Sequence, residues 1–99
     1  MTSITSVPKE IKSGLSLSYY PNPLSDFINV SYSVSKPEII SLSINNYMGI
    51  EVARLVNNKM QPASQYNIEF NISNLPSGVY FCTLKAGNQV KTVKMIVLR

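Results

Sequence analysis

Histidine and tryptophan are absent from this chain, cysteine occurs once, and no acid follows Glu69. Each absence excludes something. Without histidine, the common nucleophile–base pairs and most zinc sites cannot be built. A single cysteine permits no intrachain disulfide. Cys82 sits in an apolar stretch and reads as a small core residue, since a reactive thiol needs a neighbouring base or cation to lower its pKa. No apolar run approaches the roughly 20 residues that a membrane helix needs. The first fifteen residues lack the apolar centre of a secretory signal peptide, so any such signal is expected on a longer parent chain. There is no phosphate-cradling glycine-rich loop and no acid-rich calcium loop. Asp26, Glu38, Glu51 and Glu69 are lone carboxylates near turns or on polar strand faces, not a paired acid and base. Neither enzymatic chemistry nor a cofactor is expected.

What remains is an ordinary small domain of 99 residues, 44% hydrophobic and 14% charged. Its charge is unevenly spread. Five cations (Lys9, Lys12, Lys36, Arg54, Lys59) balance five acids up to Glu69, and the net +4 comes from Lys85, Lys91, Lys94 and Arg99. Four separated cations do not make a nucleic-acid site. They fit either a solvated strand face that resists aggregation or a docking surface for an acidic partner.

The Ser-, Thr- and Lys-rich residues 1–14 read as a flexible linker, ending at Ser13 and Gly14. From Leu15 the pattern has period two. Leu15, Leu17 and Tyr19 alternate with serines until Pro21-Asn22-Pro23 ends the first strand, because each proline removes a ladder donor. Ile28, Val30, Tyr32 and Val34 alternate with Asn and Ser, as do Ile40, Leu42 and Ile44. With the short turn at 35–38 these two strands are expected to form a hairpin. A fourth strand spans 51–56, where the spacing of Val52 and Leu55 hints at a bulge. A loop is expected over 57–65, then a fifth strand over 66–70. Tyr19, Tyr32, Tyr66, Phe70 and Tyr80 fall on apolar faces, leaving Tyr20, Tyr47 and Phe81 as surface aromatics.

The last hairpin can be registered from its turn. Gly87-Asn88 is a favoured two-residue turn pair. It places Ala86 opposite Gln89, Leu84 opposite Lys91, Cys82 opposite Val93 and Tyr80 opposite Met95. Tyr80, Cys82, Leu84, Val93, Met95 and Val97 then make a core face. The other face carries Phe81 opposite Lys94 and Val79 opposite Ile96. Seven short strands separated by turn signals predict an all-β, antiparallel two-sheet sandwich of immunoglobulin-like type. Neither the Cys-Trp-Cys pattern nor the tyrosine corner of antibody domains is read in the chain, so the label is architectural. The sequence also ends on an apolar strand that carries cations, so recognition of this terminal strand is expected.

Four segments occur in a telling order: Tyr20-Pro21-Asn22-Pro23-Leu24, Asn46-Tyr47-Met48-Gly49-Ile50-Glu51-Val52, Asn74-Leu75-Pro76-Ser77-Gly78-Val79-Tyr80-Phe81, and Lys91-Thr92-Val93-Lys94-Met95-Ile96-Val97-Leu98-Arg99. The series resembles the type A C-terminal sorting domain of the type IX secretion system of Bacteroidetes, over residues 15–99. The motif residues are Pro21, Asn22, Pro23, Gly78 and Tyr80. A similar immunoglobulin-like domain of flagellar hook-capping proteins shares the middle stretches but does not require the chain to stop at its last strand.

The resemblance implies a non-catalytic secretion signal carried by a larger cargo. Its partners would be the outer-membrane shuttle or translocon and a sortase that removes the domain within residues 1–14, near Ser13 and Gly14. The cargo would pass through the periplasm to the cell surface or beyond, and be released or joined to lipopolysaccharide. Recognition is expected at Phe81, Lys91, Lys94, Ile96, Leu98 and Arg99. No nucleic acid and no small-molecule substrate is expected, while strand-mediated self-association is open. The rival reading is a fibronectin-like or carbohydrate-binding accessory module of an extracellular protein.

Overall fold

Strands whose side chains alternate between apolar and polar must bury one face, and here seven of them share a single core. The computed structural model describes residues 15–21 and 26–98. Its strands are β1 (Leu15–Pro21), β2 (Phe27–Val34), β3 (Glu38–Asn46), β4 (Glu51–Gln61), β5 (Ser64–Asn71), β6 (Gly78–Ala86) and β7 (Gln89–Val97). They pair antiparallel in two sheets, ordered β1-β2-β5 and β4-β3-β6-β7. This is the expected immunoglobulin-like sandwich. The expected linker over 1–14, with Ser13 and Gly14, lies outside the described residues, as do Asn22, Pro23 and Arg99.

The core is built from the period-two residues. Ile28, Val30, Tyr32 and Val34 of β2 face Ile40, Leu42 and Ile44 of β3 and Tyr80, Cys82, Leu84 and Ala86 of β6, with Met95 and Val97 of β7. Burying each large apolar side chain contributes about 1.5–3 kcal/mol. Tyr19, Tyr66 and Phe70 pack half-buried against this core, as their apolar-face positions predict. Tyr32 and Tyr66 are cross-strand partners whose rings stack at 5.2 Å. Their hydroxyls donate to Gln61 Oε1 and to the Pro62 carbonyl, both at 2.6 Å. These bonds tie the β4–β5 connection to the three-stranded sheet.

The structure corrects three expectations. β2 and β3 do not form a hairpin. β2 pairs with β1 and β5, while β3 pairs with β4 and β6. Residues 35–37 therefore cross from one sheet to the other, and the two apolar faces meet across the core instead of lying side by side. Second, β4 continues through most of the expected loop, to Gln61. Its pairing with β3 shifts register three times, which confirms the bulged character read from Val52 and Leu55. At one shift Asn58 takes a left-handed φ of 47°, and buried Ser41 pins it. The Ser41 hydroxyl donates to Asn58 Oδ1 at 2.6 Å and accepts from the Asn58 N–H at 3.2 Å.

The third correction concerns Tyr80. Its hydroxyl donates to the Pro76 carbonyl at 2.7 Å, four residues upstream at the entry to β6. That is a tyrosine corner, a feature of immunoglobulin-like sandwiches. The Gly-x-Tyr motif thus has a structural role: Gly78 opens the strand and Tyr80 anchors the corner that leads into it.

The β6–β7 hairpin has the predicted register throughout, including Tyr80 opposite Met95, Cys82 opposite Val93 and Phe81 opposite Lys94. Gly87 at the turn has φ +60°, which L side chains rarely adopt. Among the described residues β7 is an edge strand, paired only with β6.

Candidate functional site

Pleating divides the residues expected in recognition. Successive side chains point to opposite faces. On β7, Met95 and Val97 point into the core, so Lys94 and Ile96 point away from it, and both are exposed. Leu98 follows the strand and is 85% exposed, against 53% for Ile96. Across the ladder, Phe81 lies opposite Lys94 and Val79 opposite Ile96. Phe81 and Val79 are half-buried although they lie on the outer face. Phe81 therefore offers less surface than the sequence pattern predicts, whereas Tyr20 and Tyr47 are well exposed.

Lys91 does not join this group. It has the parity of Val93, Met95 and Val97, so it lies on the core side of the sheet at its far end, opposite buried Leu84. There it lines a surface recess with Leu15, Gln89 and Val90. Lys91 and Lys94 sit on opposite faces and cannot act as one cationic pair.

A polar trough on the outer face of β4-β3-β6 was not apparent from the sequence. Ser41, Ser43, Asn45, Asn58, Thr83 and Lys85 line it together with Glu51 and Arg54, and it encloses about 460 Å³. Arg54 grips Glu51 through two hydrogen bonds, of 2.7 and 3.1 Å. Those bonds, with a smaller contribution from the Lys85 charge, hold the Glu51 carboxyl below the ordinary carboxylate range. The trough presents hydroxyls and amides, and its charged pair is already satisfied. Among the described residues no three His, Cys, Asp or Glu side chains gather to hold a metal ion. Burial pushes the Cys82 thiol up to about 11, so it stays protonated and unreactive at neutral pH.

Strand directions bring together what the sequence keeps apart. β1, β3, β5 and β7 end, and β2, β4 and β6 begin, at the same end of the sandwich. The Tyr20-Pro21 step, the β3–β4 turn, the approach to β6 and the end of β7 therefore share one pole. These are the described parts of the four ordered motifs. Tyr20, Tyr47, Met48, Ile50, Ile96 and Leu98, all exposed apolar side chains, lie at this pole. At the opposite pole, among the described residues, the exposed large apolar side chains are Ile39, Met60 and Val90.

Residues 18–98 match the family of secretion system C-terminal sorting domains. That span covers most of the sandwich, and the chain belongs to this family, a C-terminal sorting domain of the type IX secretion system. It is a non-catalytic secretion-signal domain. The family implies interaction with the translocon and sortase machinery of that system and is associated with export to the surface or beyond. No curated protein sequence matches the chain significantly.

Proposed function

We propose that the end of β7 is the element by which this domain delivers a cargo to the type IX translocon. The carrying observation is the contrast within one short stretch: Met95 and Val97 are buried, while Ile96 and Leu98 are largely exposed beside Lys94. A strand held rigidly by its core-facing residues offers its outer ones to a partner without further ordering, which lowers the entropic cost of binding. Lys94, and Arg99 in sequence, supply cations that suit an acidic rim. The cargo precedes residue 15, and a sortase cuts within residues 1–14, near Ser13 and Gly14. The cargo then reaches the cell surface or the medium.

β7 is also an edge that keeps a continuous register with β6, whereas the edge strand β4 is broken by bulges. A second copy pairing along β7 is the form self-association would take. It would show as a dimer in sedimentation, and it would compete with translocon docking for the same strand.

The test is a fluorescent protein ending in residues 1–99, expressed in a host that has the type IX system. The reading predicts extracellular fluorescence and a released domain whose new amino terminus falls within residues 1–14. Fluorescence retained in the periplasm, with the domain folded and uncut, contradicts it.

A further inference from the structure

The β3–β4 turn is built unusually firmly for a connection that exposes apolar side chains. Asn46 N–H donates to the Ile50 carbonyl and Gly49 N–H to the Asn46 carbonyl, each at 2.9 Å. The Asn46 side-chain oxygen accepts the N–H groups of Met48 at 2.9 Å and Ile50 at 3.0 Å. Asn45 Nδ2 donates to the Gly49 carbonyl at 3.2 Å, and Gly49 supplies the φ of +86° that the turn requires. Yet Tyr47, Met48 and Ile50 are 74%, 65% and 56% exposed. A turn needed only to reverse the chain would be expected to carry polar residues here. Fixed backbone with exposed apolar side chains is instead the form of a preorganised anchor.

Its position gives it a partner. Asn46 pairs with Tyr80, and Tyr80 pairs with Met95. The turn and the end of β7 thus leave the sheet two strand spacings apart, about 10 Å, flanking Val79, which pairs with Ile96. One protein surface spans that distance easily.

We propose that the β3–β4 turn is a second docking element, whose Tyr47, Met48 and Ile50 enter an apolar recess of the same translocon-side protein that receives the end of β7. This rests on the reading of β7 given above. A protein recess fits better than a lipid surface on charge. Glu51 directly follows the turn, Asp26 lies at the same pole, and the Arg54 cation is held by Glu51. The cations left there, Lys94 and in sequence Arg99, fall short of the cluster of about four to eight that draws a peptide to anionic lipid.

The test uses the fluorescent cargo ending in residues 1–99, in three versions. One carries Tyr47→Ser, Met48→Ser and Ile50→Thr. Another carries Ile96→Ser and Leu98→Ser. The third carries the conservative Tyr47→Phe and Met48→Leu. Exported fraction is measured alongside the thermal midpoint of each purified domain. The expected result is at least a tenfold loss of export for the first version with its midpoint near wild type, and near-normal export for the conservative one. Normal export of the turn variant while the Ile96/Leu98 variant fails overturns this proposal and leaves the β7 reading intact. Normal export of both overturns both. If the triple variant unfolds, Met48→Ser and Ile50→Thr are tested singly, and wild-type export from both overturns the proposal. Binding of the wild-type domain to vesicles containing phosphatidylglycerol, lost in the triple variant, also overturns it by making the partner a membrane.

Discussion

The Tyr80 hydroxyl and the Pro76 carbonyl form a 2.7 Å hydrogen bond that closes the entry to β6. Tyr80 is itself buried, so its ring packs in the core while its oxygen ties down the preceding turn. Tyr80→Phe keeps the ring and removes the bond. It should cost about 1 kcal/mol, seen as a lower urea midpoint with an unchanged m-value. An unchanged midpoint would mean that the corner contributes nothing.

Ser41 and Asn58 make a comparable pair at the β4 bulge. Ser41→Ala removes the acceptor for the Asn58 N–H and the donor to its side chain. The expected loss is about 1–2 kcal/mol, with faster amide exchange at Asn58 than at its neighbours. Equal acceleration along all of β4 would show that Ser41 does not act on the bulge.

Gly87 raises a question of cause. A Cβ there would approach Glu38 Oε1 to 2.5 Å, and the backbone has φ +60°. The carboxylate is the tip of a flexible side chain and can swing away, whereas the backbone strain stays. Gly87→Ala should therefore cost about 1 kcal/mol, and adding Glu38→Ala should recover little of it. Full recovery in the double variant would make the collision the cause.

Cys82 gives a signed pH dependence. Its folded-state pKa is raised to about 11 from 9.0, so the unfolded chain loses this proton first as pH rises. The stability held by the protonated thiol is intact below about pH 9 and is lost as pH rises through about 11. One proton limits the slope to about 1.4 kcal/mol per pH unit. Denaturation midpoints of wild type should therefore fall faster than those of Cys82→Ala across that window. Tyr32, whose pKa burial also raises, titrates in both proteins and cancels in the comparison. Parallel curves would contradict the buried-thiol account.

Much of this was legible in the residues, and the misses have physical reasons. The Gly87-Asn88 turn fixes the β6–β7 register, because a one-residue slip would turn Cys82, Leu84 and Met95 outward. The β2–β3 crossing was not legible. Two amphipathic strands and a short turn satisfy a hairpin and a sheet-to-sheet crossing equally well, and only the later strands β5 and β6 decide between them by claiming the partner edges. The 57–61 stretch, Asn-Asn-Lys-Met-Gln, lacks alternation, and pairing with β3 overrides its weak strand preference. The tyrosine corner leaves little trace in the sequence, because the period-two pattern places the Tyr80 ring on the core face and does not say where its hydroxyl bonds. That described parts of all four motifs meet at one pole depends on topology, which no local pattern carries. Likewise, the separation of Lys91 from Lys94 follows from the register, but it matters only once the buried side of the sheet is known.

Export of a fluorescent cargo ending in residues 1–99 with Lys94→Gln, Ile96→Ser and Leu98→Ser, beside the unaltered fusion, tests the central claim most directly. All three side chains are exposed, so the domain should keep its thermal midpoint within a few degrees. The account predicts a folded domain whose cargo stays in the periplasm, while the unaltered fusion is exported and cut within residues 1–14. Export of the altered fusion at the unaltered level would contradict it.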